Sequence, residues 1–230
     1  MINDTQKNKI QHEVINVFNT NLISLYYDQI NPAFSQKLNL VTLLIILKEI
    51  DLGQLNKFIV GLQKINKSIK NIAFTPKIFT FDELKNSLDV FPIEFLELKE
   101  NSVLLNGEDT LKQLIVNNKN LRTECEFYLR SHLLKLREAY LSPKRNLTSL
   151  IKTSFPSFIV LFKYILSLVN TNKFDNNQEI IKALSDSINF KVALFLEILL
   201  NINKSNLDNY FPFYIEEIQN IIQQVDQLNV

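Results

Sequence analysis

The chain has 230 residues, 46% of them hydrophobic, enough to build one large core or two smaller ones. Its 25 Lys and Arg against 24 Asp and Glu leave a net charge of +1, so no global field attracts nucleic acid or an anionic membrane surface. The single Cys125 forms no intramolecular disulfide, and with only His12 and His132 far apart in the chain it supplies no structural zinc site.

The opening stretch MINDTQKNKIQHEV is too polar for a secretory signal, and the expected compartment is the cytoplasm. Asp4 or Thr5 is positioned to cap a helix running to Phe18, with Ile10, Val14, Ile15 and Phe18 as its apolar stripe. Two strands are predicted next, over residues 22–27 and 38–47. The second, LNLVTLLIIL, is the most apolar short run in the chain and has the unbroken pattern of a central strand buried on both faces. Asp51 then opens a helix in which Leu52, Leu55, Ile59, Leu62, Ile65 and Ile69 recur near a 3.6-residue period, with Lys57, Lys64, Lys67 and Lys70 on its solvated face.

A third strand over 72–79 contains Pro76, which places it at an edge or a break. Thr80 and Glu83 form a T-x-x-E capping box before a short helix over 81–88. Residues 93–99 are predicted as a strand after Pro92, with 102–105 as a return arm before Gly107. From Asp109 the pattern is helical, with helices near 109–115, 118–141, 146–169, 177–185, 188–201 and 207–228, separated by Asn-rich joints. The expected architecture is α+β: a mixed sheet flanked by helices over 1–110 and a helical bundle over 111–230. Residues 155–169 are interrupted by Lys163 and fall short of the roughly 18 apolar residues that span a bilayer, so they are expected to be a buried bundle helix, with no membrane partner.

The candidate chemistry is sparse. With only Gly53, Gly61 and Gly107, neither a dinucleotide fingerprint nor a P-loop is possible, since both need clustered glycines to bring backbone amides onto phosphate. Cys125 lies on the apolar side of its helix as a core residue, and His132, one turn from Tyr128 and Leu136, is expected to be packed and hydrogen-bonded. The helix over 121–141 has Cys125, Tyr128, Leu129, Leu136 and Ala139 on one apolar face and Phe127 and Leu134 on another, with Glu126, Arg130 and Arg137 between. Two apolar sides suggest two packing partners and place Arg130 and Arg137 beside an interdomain cleft, available to an anionic ligand. The plainer reading is a solvated i to i+4 ion pair between Glu126 and Arg130. Asp28, Glu94 and Glu97 are the acidic residues placed at strands; as Mg²⁺ ligands they would have to converge, and otherwise they are a solvated face.

The order of elements, with SLYYDQINPAFSQKLNLVTLLIIL, SLDVFPIEFLELKENSVLLNGED, ECEFYLRSHLLKLREAYL and YIEEIQNIIQQVDQL, resembles the nucleotidyltransferase superfamily of the polymerase β-like fold, kanamycin and minimal type. The resemblance implies that the family's Gly-Ser pair falls on Tyr27 and Asp28, the following Arg on Asn31, and the metal-binding Asp-x-Asp or Asp-x-Asn on Leu40 and Thr42, with Phe34 keeping an aromatic loop position. It places the later acidic position at Glu97. These replacements imply a catalytically degenerate member, without metal or nucleotide cofactor, that binds an unknown ligand or protein partner, with a homodimer as one possibility. The alternative it implies is an active transferase using Mg²⁺ and a nucleoside triphosphate at a displaced site built on Asp28 and Glu97.

Overall fold

The computed structural model describes residues 2–29, 39–69, 72–169, 174, 176–204 and 206–229. By its internal contacts the chain divides into two compact units, Met1–Val116 and Asn117–Val230.

The first unit begins with helix α1 (Asp4–Phe18), whose N-cap is Asn3; Asn3 and Gln6 exchange side-chain and backbone hydrogen bonds as a capping box, so the cap lies one residue before the expected Asp4. Strands β1 (Leu22–Gln29) and β2 (Asn39–Leu47) pair antiparallel, helix α2 (Leu52–Ser68) crosses over, and β3 (Ile72–Thr80) returns parallel to β2. A parallel return needs such a crossover. Helices α3 (Phe81–Asn86) and α4 (Pro92–Asn101) follow, and β4 (Ser102–Gly107) closes on the other side of β1, giving the strand order β3-β2-β1-β4. The mixed sheet with flanking helices is the α+β architecture expected from the sequence.

Strand β2 is central, and every side chain from Val41 to Leu47 is buried. Alternate residues face opposite sides. Val41, Leu43, Ile45 and Leu47 join Leu25 and Tyr27 against Ile10, Val14 and Phe18 of α1 and Phe58 and Ile65 of α2. Leu44 and Ile46 join Tyr26 against Leu84 of α3, Phe95 and Leu98 of α4, and Leu111 and Leu114. Helices on both faces explain why the β2 sequence is apolar without alternation; each fully buried aliphatic side chain contributes about 1.5–3 kcal/mol. Asp51 caps α2 by accepting from the Gly53 and Gln54 N–H groups, and Thr80 and Glu83 form the predicted capping box of α3. Pro76 lies on the edge strand β3, where the Phe74 N–H donates to the Asn66 side chain (2.9 Å).

One strand expectation is overturned. Residues 93–99 belong to helix α4, which starts with Pro92 at its first turn. There the fixed φ of proline suits the helix and its missing N–H is one that needs no intrahelical partner, so Pro92 initiates a helix where a break was expected. The expected helix over 109–115 is a 3₁₀ turn, Thr110–Gln113. It is tied to β1 by buried hydroxyls: Ser24 Oγ donates to the Glu108 carbonyl (2.6 Å), and the Tyr26 hydroxyl accepts from the Leu111 N–H (3.2 Å).

The second unit contains α5 (Asn118–Tyr140), α6 (Leu147–Val169), α7 (Asn177–Ser185), α8 (Val192–Asn201) and α9 (Phe211–Asp226). Helix α8 starts later than expected because residues before it turn, with the Lys191 N–H held by the Glu217 carboxylate (2.9 Å); a 3₁₀ turn, Asp208–Tyr210, precedes α9. Phe155, Phe158 and Phe162 of α6 pack with Phe195 of α8 and Tyr214 of α9. Among the described residues α6 is the one helix long and apolar enough to cross a membrane, and 50% of its most apolar window is buried within the fold, the packing of a core helix. Asp208 caps it, accepting from the Thr148 N–H and hydroxyl at 2.9 and 2.6 Å.

Candidate functional site

The strand register assembles a polar row at one end of the sheet. Asp28 pairs with Thr42 on β2 and with Ser102 on β4, and Thr42 pairs with Thr75 on β3. Register partners share a face and residues two apart along a strand share it too, so this row lies on the Tyr26 side, the side covered by α3 and α4. On the same side Lys77, in register with Leu44, forms an ion pair with Glu94 of α4.

Asp28 is 9% exposed and Thr42 3% exposed. Among the described residues, Asp28 Oδ1 and Ser102 Oγ are both buried without a hydrogen-bond partner. Burial raises the Asp28 carboxyl above its ordinary value, against a smaller opposing pull from the positive charge of Lys77. The ionised form is thereby disfavoured relative to a solvated carboxyl.

As a site for a divalent metal the row is poor in carboxylates. Mg²⁺ is usually held through one or two carboxylates, and this row supplies a single one, Asp28, with hydroxyls as its register neighbours. Among the described residues no group of three or more His, Cys, Asp or Glu side chains is arranged to hold a metal ion.

The other candidates are placed as follows. Tyr27 points to the opposite face from Asp28, buried in the α1 and α2 core, with Lys7 Nζ 6.0 Å from its ring centre. Glu97 is on α4 and half-buried; its strand placement falls with the correction to that element. Asn31 and Phe34 lie outside the described residues, as does most of the loop between β1 and β2. In the helical unit Arg130 Nε donates to Glu126 Oε1 (2.7 Å), the i to i+4 pair, and Asp226 approaches to 3.9 Å. Arg137 is exposed and lines an open pocket of about 390 Å³ with Tyr140, Leu141, Leu147, Phe211, Pro212 and Ile215.

Cys125 is fully buried, and burial, with the neighbouring Glu124 charge, pushes its thiol far above the reactive range. His132 packs edge-on against Phe158 (5.6 Å) as expected. The expected hydrogen bond is not formed at Nδ1, which is buried without a partner among the described residues; burial and the Lys135 charge favour the neutral ring. Sequence reasoning missed Ser102, Thr75 and Lys77. The usable signal was the period-2 alternation that puts Lys77 and Thr75 on one face of β3.

The four-stranded mixed sheet with flanking helices, followed in the chain by a helical unit, has the nucleotidyltransferase fold by comparison with a solved structure. No family model matches the chain, and no curated protein matches it in sequence. Among solved structures it is similar to spectinomycin adenyltransferase AAD(9) from Enterococcus faecialis, determined with ATP and spectinomycin, with a TM-score of 0.54 and 13% identity over 94% of this chain and 98% of that one. At that identity the likeness establishes the shared fold.

Proposed function

We propose that this chain uses the nucleotidyltransferase fold as a binding module and does not transfer nucleotides. The observation that carries this reading is the pairing of Asp28 with Thr42 at the polar end of the sheet. Metal-assisted nucleotidyl transfer needs ionised carboxylates to hold the ion that neutralises charge building on the phosphates. The paired position opposite Asp28 carries a hydroxyl, which leaves the row a single carboxylate that is buried. A lost metal carboxylate removes several kcal/mol of transition-state stabilisation, roughly three orders of magnitude or more in rate. The row retains hydrogen-bonding capacity for a small polar ligand, in Asp28, Ser102 and Thr42, while the outer surfaces remain for a protein partner.

The test uses ATP and spectinomycin, the ligands of the structural relative, together with the other nucleoside triphosphates and a panel of aminoglycosides, RNA and proteins as acceptors. Calorimetry with Mg²⁺ or Mn²⁺ is expected to show no saturable metal-dependent nucleotide binding, and labelled nucleotides to give neither product nor pyrophosphate. Turnover in the wild type that disappears in Asp28→Asn or Glu97→Gln overturns the proposal in favour of an active enzyme with a displaced site.

A further inference from the structure

Helix α5 carries an apolar stripe on the side opposite its buried face. Phe127, Leu134 and Leu141, the last capping the helix, recur at seven-residue intervals and are 62%, 56% and 78% exposed. Seven residues fall about 20° short of two full turns, so the three side chains stay within about 40° of one line. Cys125, Leu129, Leu133 and Leu136 define the buried side of the helix. Three large apolar groups in register over a stretch of about 21 Å exceed the scattered exposure ordinary for a surface helix.

The flanking charges select the occupant. Relative to Leu134, Arg137 lies about 60° to one side of the stripe and Glu138 about 40° to the other. Both are exposed, and neither forms an ion pair among the described residues. Arg130, on the Arg137 side, is already answered by Glu126. A two-fold axis parallel to the helix turns the Arg137 side of one copy towards the Glu138 side of the other, and does so twice. An antiparallel pairing would instead bring the two Arg130 and Arg137 sides together, which like-charge repulsion disfavours.

We propose that this face of α5 is a self-association surface that takes a second copy of the chain in parallel, stacking Phe127, Leu134 and Leu141 each on its own counterpart and pairing Arg137 with the second copy's Glu138. A seven-residue recurrence keeps one row of side chains along the line where two helices can meet. This goes beyond the binding-module reading and stands or falls separately from it, because its residues belong to the helical unit and not to the sheet.

Sedimentation velocity over a concentration series tests it. The wild type is expected to pass from monomer towards twice that mass, and Leu134→Glu to weaken association by about tenfold or more, as loss of a central apolar anchor does. Leu134 is exposed, so circular dichroism should show the variant folded. Arg137→Glu and Glu138→Arg should each weaken self-association, and mixing these two variants in equal amounts should restore a dimer. A wild type that stays monomeric throughout, a Leu134→Glu variant that dimerises like wild type, or single variants that do not recover on mixing would each overturn the proposal.

Discussion

Asp28 and Ser102 face each other across β1 and β4, and each buries one oxygen that has no hydrogen-bond partner among the described residues. A buried carboxylate in that position costs stability, because the hydration lost on folding is not replaced by bonds. It follows that Asp28→Asn, which keeps the shape and removes the charge, should raise stability at neutral pH by about 1 kcal/mol. The sign can be followed with pH. The folded-state pKa lies above the unfolded value near 3.8, so the folded form holds the proton more tightly between the two values. The penalty is absent below the unfolded value and complete above the folded one. Urea melts from pH 3.5 to 8 should therefore show the Asn variant gaining on wild type as pH rises; a gain independent of pH would show that charge is not its source.

Tyr26 anchors the turn after β4. Its hydroxyl accepts from the Leu111 N–H and lies 3.2 Å from the Glu108 carbonyl, the Asp109 carboxylate and the Thr110 hydroxyl. Tyr26→Phe keeps the ring in the core and strands those partners, a loss expected at about 1–3 kcal/mol. Hydrogen exchange should show the Leu111 amide losing protection first. Equal loss across the whole sheet would mean that the hydroxyl does not act locally.

Glu217 is 3% exposed, and its carboxylate accepts from the Lys191 N–H and pairs with the Lys191 ammonium at 3.0 Å. Burial acts to raise its pKa, but the Lys191 backbone and side-chain bonds, the Asn220 amide and the Lys191 charge together outweigh it, and the net shift is downwards. A depressed folded value contributes stability that is full above the unfolded value near 4.5 and lost as pH falls through the folded one. Glu217→Gln should cost about 1–2 kcal/mol at pH 7, less than for a fully buried pair because Lys191 is largely exposed. The deficit should shrink as both proteins are taken below about pH 4. A deficit constant from pH 3 to 7 would place the effect in packing.

Gly107 has φ +85°, and a Cβ there would sit 1.9 Å from the Ile23 carbonyl oxygen. Both the left-handed backbone and the close approach to β1 demand glycine. Gly107→Ala should destabilise the sheet unit by more than about 1 kcal/mol, read as a lowered urea midpoint. An unchanged midpoint would mean that β4 can shift away from β1 at no cost.

How much was legible follows from the range of each interaction. The burial of β2, the Asp51 cap and the Thr80–Glu83 box depend on neighbouring residues, and all three stand in the structure as expected. Pro92 was ambiguous because proline both ends one element and starts another; the Glu, Leu and Lys content of 94–99, good helix formers, was the signal that decided it. The row of Thr75, Thr42, Asp28 and Ser102 was not legible, because it depends on the register of four strands and on an irregularity between Leu25 and Tyr26 in the β1–β4 pairing. The Lys77–Glu94 pair joins an edge strand to a helix that had been expected as a strand, so nothing local announced it.

Pro76 has a consequence for how any protein partner can approach the sheet. On β3 the backbone donors that point away from β2 belong to alternate residues, the set that includes Phe74, Pro76 and Thr80. Phe74 has given its donor to Asn66, Pro76 has none, and Thr80 has given its own to Glu83 at 2.7 Å. An incoming strand would find three of the five donors of that set, those of Phe74, Pro76 and Thr80, taken or missing, so this border is a poor template for extension by another chain's backbone. Recognition on that side is left to side chains, which can be selective, where main-chain pairing would accept almost any extended peptide.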